Sequence, residues 1–300
     1  MKRFFFGLTL ALIFFGVLEL GLRAAGFQGN PVVGDFRFRI IGELHGEPDQ
    51  YRFWKLPHVE PRFSGDVPRI ICMADSVTVM EQGFGWPNIL PEALRRAGYL
   101  KPVEVFNAGV PEYTSFQGLQ YLRHELLATQ PNLVTIEFGW NDHWETRTGK
   151  ADDEIHPPSA ALLSLQAGLG RLRLYRLLLT FISPRPQPQH NLRVPLDRYR
   201  DNLWKMIEMV NGQGGKVILI PAPYLDGPWG WRDLHLSYIQ ATREVAAQTG
   251  TTIVDLVDKF IQAPQLFYDP RSDACHYNMQ GGRMIADAVA AATVSGKLLD

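Results

Sequence analysis

Four places in this 300-residue sequence carry residue types that could together perform acyl transfer. Ser76 follows Asp75 at the end of the apolar run IICMA, Gly109 closes FNAG, Asn141 lies in GWND, and Asp273 precedes His276 by three positions in DACH. A serine hydroxyl is a weak nucleophile until a base takes its proton, so Ser76 needs an imidazole within reach, and His276 is the candidate. That imidazole must hold the right tautomer, which a carboxylate on the same loop secures by accepting from its other ring nitrogen. Asp273 can do this. Attack on an acyl carbonyl develops an oxyanion that needs fixed donors. The Ser76 N–H at a helix start, the Gly109 N–H and the Asn141 side-chain amide can supply them. A glycine lets backbone approach a substrate closely, and an amide donates without bringing charge. Taken singly the pieces are ordinary: Asp-Ser caps helices, Gly-x-Asn-Asp turns a chain, and Asp-x-x-His occurs in many proteins. Their order and placement give the set its meaning.

That placement is at the ends of strand-like runs. PRIICMA, VEVFNAG, NLVTIEFG, KVILIPAP and TTIVDLV are short and rich in Val and Ile, and each stops at turn or polar residues. Near-continuous apolar strands are buried on both faces, which predicts a central parallel sheet of about five strands. Helical patterns lie between them in WPNILPEALRRAG, FQGLQYLRHELLATQ and YRDNLWKMIEMVNGQGG, with Gly98 and Gly212 where helices should stop. Alternating strands and helices predict an α/β doubly wound sheet, whose ligands bind at the carboxyl ends of the strands. The organisation expected is residues 1–27 as a membrane segment, 28–66 as a polar, Pro- and Gly-rich segment packing on the core, and 67–300 as the main domain. An insertion at about 143–197 interrupts that domain. It carries a helix candidate over 159–182 and the proline-rich SPRPQPQ, and an insertion of this length reads as a lid or a packing excursion. The 159–182 helix could lie on a membrane or cap an acyl pocket. The plainer expectation is a packed helix with Arg171, Arg173 and Arg176 solvated.

Several conspicuous residues have plain readings. Asp75 is expected to cap the turn after Ser76, and Asp142 to fix its own loop as an acceptor. His143 reads as an exposed loop histidine. Trp86, Trp140, Trp144, Trp229 and Trp231 could stack on sugars or fill the core. Trp140 and Trp144 flank Asn141 and are the two assigned to substrate contact. Cys72 and Cys275 are the only cysteines, too few for a disulfide framework or a cysteine zinc cluster, and Cys72 in its apolar run reads as a buried free thiol. There is no Gly-x-Ser-x-Gly elbow, His-Glu-x-x-His, P-loop or complete dinucleotide fingerprint, so no metal or other cofactor is expected. A formal net charge of -1 with no basic stripe leaves no electrostatic footprint for nucleic acid.

The N-terminus departs from a soluble composition. Lys2 and Arg3 precede an uncharged apolar run over 4–18, shorter than the roughly 20 residues that span hydrocarbon. Continuing through Glu19 to Ala25 gives adequate length, and Arg23 is poorly placed for cleavage after Ala25. The expectation is a single-pass anchor in the bacterial inner membrane with everything after Phe27 outside it, the alternative being secretion after signal cleavage.

Ser76, Gly109, Asn141 and His276, with Asp273, resemble the four sequence blocks of the SGNH, or GDSL-type, serine hydrolases. The resemblance runs over about 68–292 and includes Tyr199 and Asn202 on one helix. It implies a flavodoxin-like three-layer α/β/α fold and a serine esterase working through an acyl-enzyme without metal, with a Ser76/His276/Asp273 triad and a Ser76/Gly109/Asn141 oxyanion hole. A membrane segment before such a domain resembles a bacterial subgroup. The implied partner is an acyl-ester substrate, such as an acetylated envelope glycan, a lipid or a small ester. Two other readings stay open: an O-acyltransferase of the same fold, and a catalytically silent carbohydrate-binding or envelope-assembly module. One position departs from the family, which usually has Gly where this chain has Ala74. Alanine disfavours positive φ, so the turn must form with ordinary angles or with slight strain.

Overall fold

The computed structural model describes residues 2–28, 32–33, 36–37, 40–41, 44–56, 59–79, 85–146, 149–182, 191–225, 231–273 and 275–300. Trp229 and the SPRPQPQ run lie outside the described residues. The chain divides into two compact units, Met1–Pro57 with His156–Pro188, and His58–Ile155 with Gln189–Asp300. Among the described residues the helices are α1 (Lys2–Ala24), α2 (Leu90–Arg96), α3 (Ser115–Tyr121), α4 (Ala160–Leu169), α5 (Arg173–Ile182), α6 (Leu196–Asn211), α7 (Arg232–Thr249), α8 (Val257–Ile261) and α9 (Met279–Ser295).

The larger unit is built on a five-stranded sheet: β1 (Arg69–Ala74), β2 (Glu104–Asn107), β3 (Leu133–Glu137), β4 (Lys216–Leu219) and β5 (Thr252–Ile253). All four pairings are parallel and the spatial order is β2-β1-β3-β4-β5, the flavodoxin-like arrangement. Each strand falls within one of the five apolar runs. β1 and β3 are near-continuous in burial because a parallel sheet is covered on both faces. Ile70, Cys72 and Ala74 join the core cluster with α2 and α9, while the alternating Ile71 and Met73, equally buried, face the opposite layer. Helix α2 packs on α9, α3 on α6, and α6 on α7, which makes the three-layer α/β/α sandwich. Cys72 is buried and free, and burial pushes its thiol up to about 12.

Two features differ from the sequence reading. Helix α7, between β4 and β5, was not foreseen, because its sequence RDLHLSYIQATREVAAQT interleaves polar residues with its apolar stripe. Its buried face includes Tyr238, Ile239, Ala241, Thr242 and Val245, at the spacing a helix presents to a core. The 159–182 stretch is two helices, not one: α4 is capped at its start by Ser159, and the chain turns through Gly170 and Arg171 before α5.

The smaller unit joins α1, α4, α5 and a hairpin pairing Glu47–Asp49 with Phe53–Lys55. The span Phe5–Ala24 of α1 is long and apolar enough to cross a membrane, with mean hydropathy 2.2 and none of it buried.

Candidate active site

The sheet order brings the exits of β1, β2 and β3 side by side, and the chemistry-bearing residues sit on those exits. β1 ends at Ala74, and a single 3-10 turn follows over Ser76–Thr78. Asp75 caps it, its Oδ1 accepting from Val77 N–H at 3.0 Å. Ala74 is not among the residues with positive φ, so alanine meets the backbone here without left-handed strain. The β2 exit continues to pair with β1, through Ala108 N–H to Cys72 O at 2.8 Å and Val110 N–H to Ala74 O at 3.1 Å. This register lays Gly109 against the turn. A Cβ there would lie 1.8 Å from Thr78 Oγ1 and 3.1 Å from Asp75 O, so only glycine fits. At the β3 exit Gly139 takes φ 134, a left-handed angle that turns the chain into Trp140-Asn141-Asp142.

Asp273, Cys275 and His276 come from the loop before α9. Asp273 Oδ2 lies 2.7 Å from His276 Nδ1, and His276 Nε2 lies 2.8 Å from Ser76 Oγ. Asp273 Oδ1 also accepts from the N–H groups of Cys275 and His276, both at 3.0 Å, which fixes the carboxylate's direction. A carboxylate only accepts, so Nδ1 carries the hydrogen and Nε2 is left as an acceptor facing the Ser76 hydroxyl. Burial alone would raise the Asp273 pKa. The hydrogen bonds from His276 and Cys275 outweigh it and hold the carboxyl well below the usual range. The hydrogen bond that His276 donates to Asp273 in turn raises the His276 pKa above its ordinary value, against desolvation. Asp273, Cys275 and His276 also offer potential metal-ligand atoms within 4.8 Å of one another. In the resting geometry His276 Nδ1 is engaged by Asp273 Oδ2 and Nε2 faces Ser76 Oγ, so both ring nitrogens are committed to the proton-transfer chain.

The three expected oxyanion donors differ in their resting state. Ser76 N–H occupies the first position of its turn, where no intrahelical acceptor exists. Gly109 N–H donates to Asn107 Oδ1 at 3.0 Å, and Asn107 Nδ2 donates to Thr78 O at 3.0 Å. Asn141 Nδ2 donates to Asp75 Oδ2 at 3.2 Å and to Tyr113 O at 3.1 Å. Asp75 therefore links the Ser76 turn to Asn141. Burial raises its carboxyl to about 6, against the hydrogen bond from Val77 and the positive field of His276.

Asp142 accepts from Ser115 N–H at 3.0 Å and from the Ser115 hydroxyl, tying the β3 exit to the start of α3. Asn202 on α6 donates to Ser115 Oγ at 3.0 Å, and Tyr199, one turn earlier, donates to Phe138 O at 2.9 Å. The Tyr199/Asn202 helix thus holds the β3 exit and its neighbour by hydrogen bonds. His143 is not an exposed loop histidine. It is buried, with Nε2 3.0 Å from His235 Nδ1 on α7, and His235 Nε2 donates to Ala222 O at 3.0 Å. Burial lowers His143 to about 4 and His235 to about 3, so both are neutral at physiological pH. Trp140 also departs from its expected role. Its indole is buried, stacked on His235 at 4.0 Å between ring centroids and edge-on to Trp231 at 4.8 Å, so its faces are covered by protein. Trp144 is 57% exposed and keeps a face for a ligand. Trp86 is buried and donates to Glu137.

Glu137 was not singled out in the sequence, although an acidic residue closing the apolar run LVTIE was its signal. It is buried at the end of β3, accepting from Tyr277 OH at 2.8 Å and from Trp86 Nε1 at 3.3 Å. Burial raises it to about 8, opposed by the Tyr277 hydrogen bond and reinforced by the Asp75 charge. Tyr277 adjoins His276, so Glu137 anchors the loop that carries the imidazole. Arg193, also not foreseen, braces the β2 exit loop through Glu112 O at 2.9 Å, Gln117 Oε1 at 2.8 Å and Asp152 Oδ2 at 3.0 Å.

Residues 75–284 match the family model described as GDSL-like Lipase/Acylhydrolase family. The chain belongs to this family and is an ester-bond hydrolase by membership. No curated protein matches it. Among solved structures it is similar to a lipase/acylhydrolase from Enterococcus faecalis, at 21% identity over 77% of this chain and 97% of that one, with a TM-score of 0.53. It is also similar to the acetyl xylan esterase AlAXEase, at 18% identity over 75% and 98% of the two chains, TM-score 0.50. The acetylxylan esterase Axe2 from Geobacillus stearothermophilus matches at 18% identity over 76% and 93%, TM-score 0.50. At these identities the likeness concerns the fold.

Proposed function

We propose that the protein is a serine esterase in which Ser76 is the nucleophile, His276 the general acid and base, and Asp273 the group that orients His276. The observation that carries this is the continuous chain from Asp273 Oδ2 through His276 to Ser76 Oγ, with contacts of 2.7 and 2.8 Å. As Oγ attacks the ester carbonyl, its proton passes to His276 Nε2 and a tetrahedral oxyanion forms. Collapse expels the alcohol, which takes that proton and leaves the acyl group on Ser76. Water then attacks the acyl-enzyme, gives a proton to His276, and the acid departs as Ser76 is restored. The oxyanion sits at the Ser76 and Gly109 N–H groups and the Asn141 amide. In the resting site Gly109 N–H donates to Asn107 Oδ1 and the Asn141 amide to Asp75 Oδ2 and Tyr113 O, and the developing charge draws these donors into its own hydrogen bonds.

The substrate class is an acyl ester, with O-acetylated envelope carbohydrate the preferred member. Two of the structurally similar proteins are acetyl xylan esterases, and the exposed Trp144 offers a flat face three residues beyond Asn141. Helix α1 acts as a single-pass inner-membrane anchor, Lys2 and Arg3 staying on the cytoplasmic side and the hydrolase unit outside. Full-length protein in detergent is expected to react with a fluorophosphonate probe and to hydrolyse p-nitrophenyl acetate, while Ser76→Ala does neither. Equal labelling and turnover of the two proteins would refute the assignment.

A further inference from the structure

Acyl transfer makes no use of α5, yet its surface is unlike that of a solvated helix. Leu178 and Phe181 on α5 are 50% and 79% exposed, and Leu172 in the turn before it is 42% exposed. Leu178 and Phe181 are three positions apart and so share one face of α5, and large apolar side chains left together on a water-facing helix cost free energy and mark a surface with a partner. The opposite face of α5 carries Arg173 and Arg176, which sit one turn apart.

Helix α1 packs on α5 within the same unit. Glu19 on α1 accepts from the N–H groups of Arg173 at 3.0 Å and Leu174 at 2.8 Å, capping the first turn of α5 with a carboxylate. Glu19 also pairs with Arg23 Nε at 2.7 Å, and Arg23 Nη2 donates to Arg171 O at 3.0 Å. Arg173 and Arg176 both donate to Gln28 O, at 3.1 and 3.0 Å. Four arginines (23, 171, 173, 176) are thereby gathered at the Ala24 end of the apolar α1 around one carboxylate, an excess of three positive charges (four minus one). The guanidinium groups of Arg23, Arg173 and Arg176 are held by backbone carbonyls and Glu19, whereas Arg171 contributes its backbone carbonyl and keeps an exposed side chain, as the sequence suggested.

An apolar face on a helix that packs against an anchor, with a cationic collar at the anchor's end, has the chemistry of a phospholipid interface. Ten residues of helix reach only about 15 Å, too short to span, so such a helix lies in the plane of the interface. We propose that α5 is an interfacial membrane-binding helix seated in the anionic bilayer that α1 crosses. Leu172, Leu178 and Phe181 enter the outer acyl region, and the arginines lie at the phosphate level of the leaflet opposite Lys2 and Arg3. The inference rests on α1 being a membrane anchor.

The test uses full-length protein in phosphatidylcholine/phosphatidylglycerol vesicles, with Cys275→Ser as background because buried Cys72 resists labelling. Spin labels are placed one at a time at Leu178→Cys and Phe181→Cys on α5, at Leu12→Cys on α1, and at Trp204→Cys on α6. Collision with oxygen, which concentrates in lipid, is compared with collision with a water-soluble nickel chelate. Labels at 178, 181 and 12 are expected to favour oxygen and the label at 204 to favour nickel. In phosphatidylcholine alone, nickel collision at 178 and 181 should rise. If 178 and 181 favour nickel while 12 favours oxygen, the anchor stands and the α5 proposal is overturned. If 12 also favours nickel, the anchor reading fails and takes the proposal with it. Shielding of 178 and 181 from both reagents would mean that protein, such as a second copy, covers α5, and would overturn the proposal. Indifference to phosphatidylglycerol would overturn the role of the arginines.

Discussion

Ser76 is only as nucleophilic as the imidazole beside it permits, and Asp273 governs that imidazole. Because Asp273 stabilises the protonated ring, His276 titrates above its ordinary value. The base form needed for attack is lost as pH falls through that raised pKa, so kcat/KM should decline on an acid limb set by His276. Replacing Asp273→Asn removes the stabilising charge and the tautomer control together. The expected result is a loss of about 10⁴-fold in kcat and an acid limb displaced to lower pH, read from p-nitrophenyl acetate hydrolysis across pH. An unchanged limb would show that Asp273 does not act through His276. At this scale the sequence supplied the residue types. It could not supply the bonding of the resting donors, because whether Asn141 faces a substrate or Asp75 and Tyr113 depends on residues 66 and 28 positions away.

Among the elements, the Ser76–Thr78 turn is held by what lies beneath it. Gly109 is locked against that turn because an added Cβ would fall 1.8 Å from Thr78 Oγ1, a buried hydroxyl without a hydrogen-bond partner among the described residues. Gly109→Ala is expected to displace the turn and abolish esterase activity. Thr78→Ala removes the atom in conflict, so the double variant Gly109→Ala/Thr78→Ala should recover part of the activity, a coupling that a double-mutant cycle measures. Additive losses would mean that the clash is not what fixes glycine here. The strands were legible because a parallel strand buried on both faces leaves a continuous apolar run, as in RIICMA and LVTIE. Helix α7 was not, since its buried positions include His235 and Thr242, polar residues that a period of apolar side chains does not flag. His235 became buried only by pairing with His143 and Ala222 O.

At the scale of the molecule, the sheet's carboxyl end collects buried acids whose pKa values move together. Glu137 holds its proton to about 8 and Asp142 to about 7, each raised by burial. The unfolded chain releases these protons near 4. A carboxyl raised on folding adds stability that is complete below the unfolded value and is lost as pH rises toward the folded one. Asp273 has the opposite sign: its lowered pKa adds stability above the ordinary aspartate value, lost as pH falls below it. Glu137→Gln should therefore flatten the decline of the thermal midpoint from about pH 5 to pH 8, measured by calorimetry against wild type. Parallel curves for the two proteins would show that Glu137 is not the buried acid responsible.

Legible from the sequence alone were the α/β class, the five strand runs, and the residue types at three strand exits and in the segment before the last helix, because these rest on local periodicity and on what each side chain can do chemically. The sequence also marked an apolar N-terminus. Which groups meet follows from the packing of distant segments. That packing set a serine and a histidine 200 positions apart at 2.8 Å, buried Trp140 under His235, and took His143 out of solvent. It also split the 159–182 stretch into two helices and joined that stretch to α1 in one unit. The reason is physical: local patterns report the free energy of a segment against its immediate neighbours, whereas burial, tautomer and donor direction belong to contacts that exist only when distant segments are packed together.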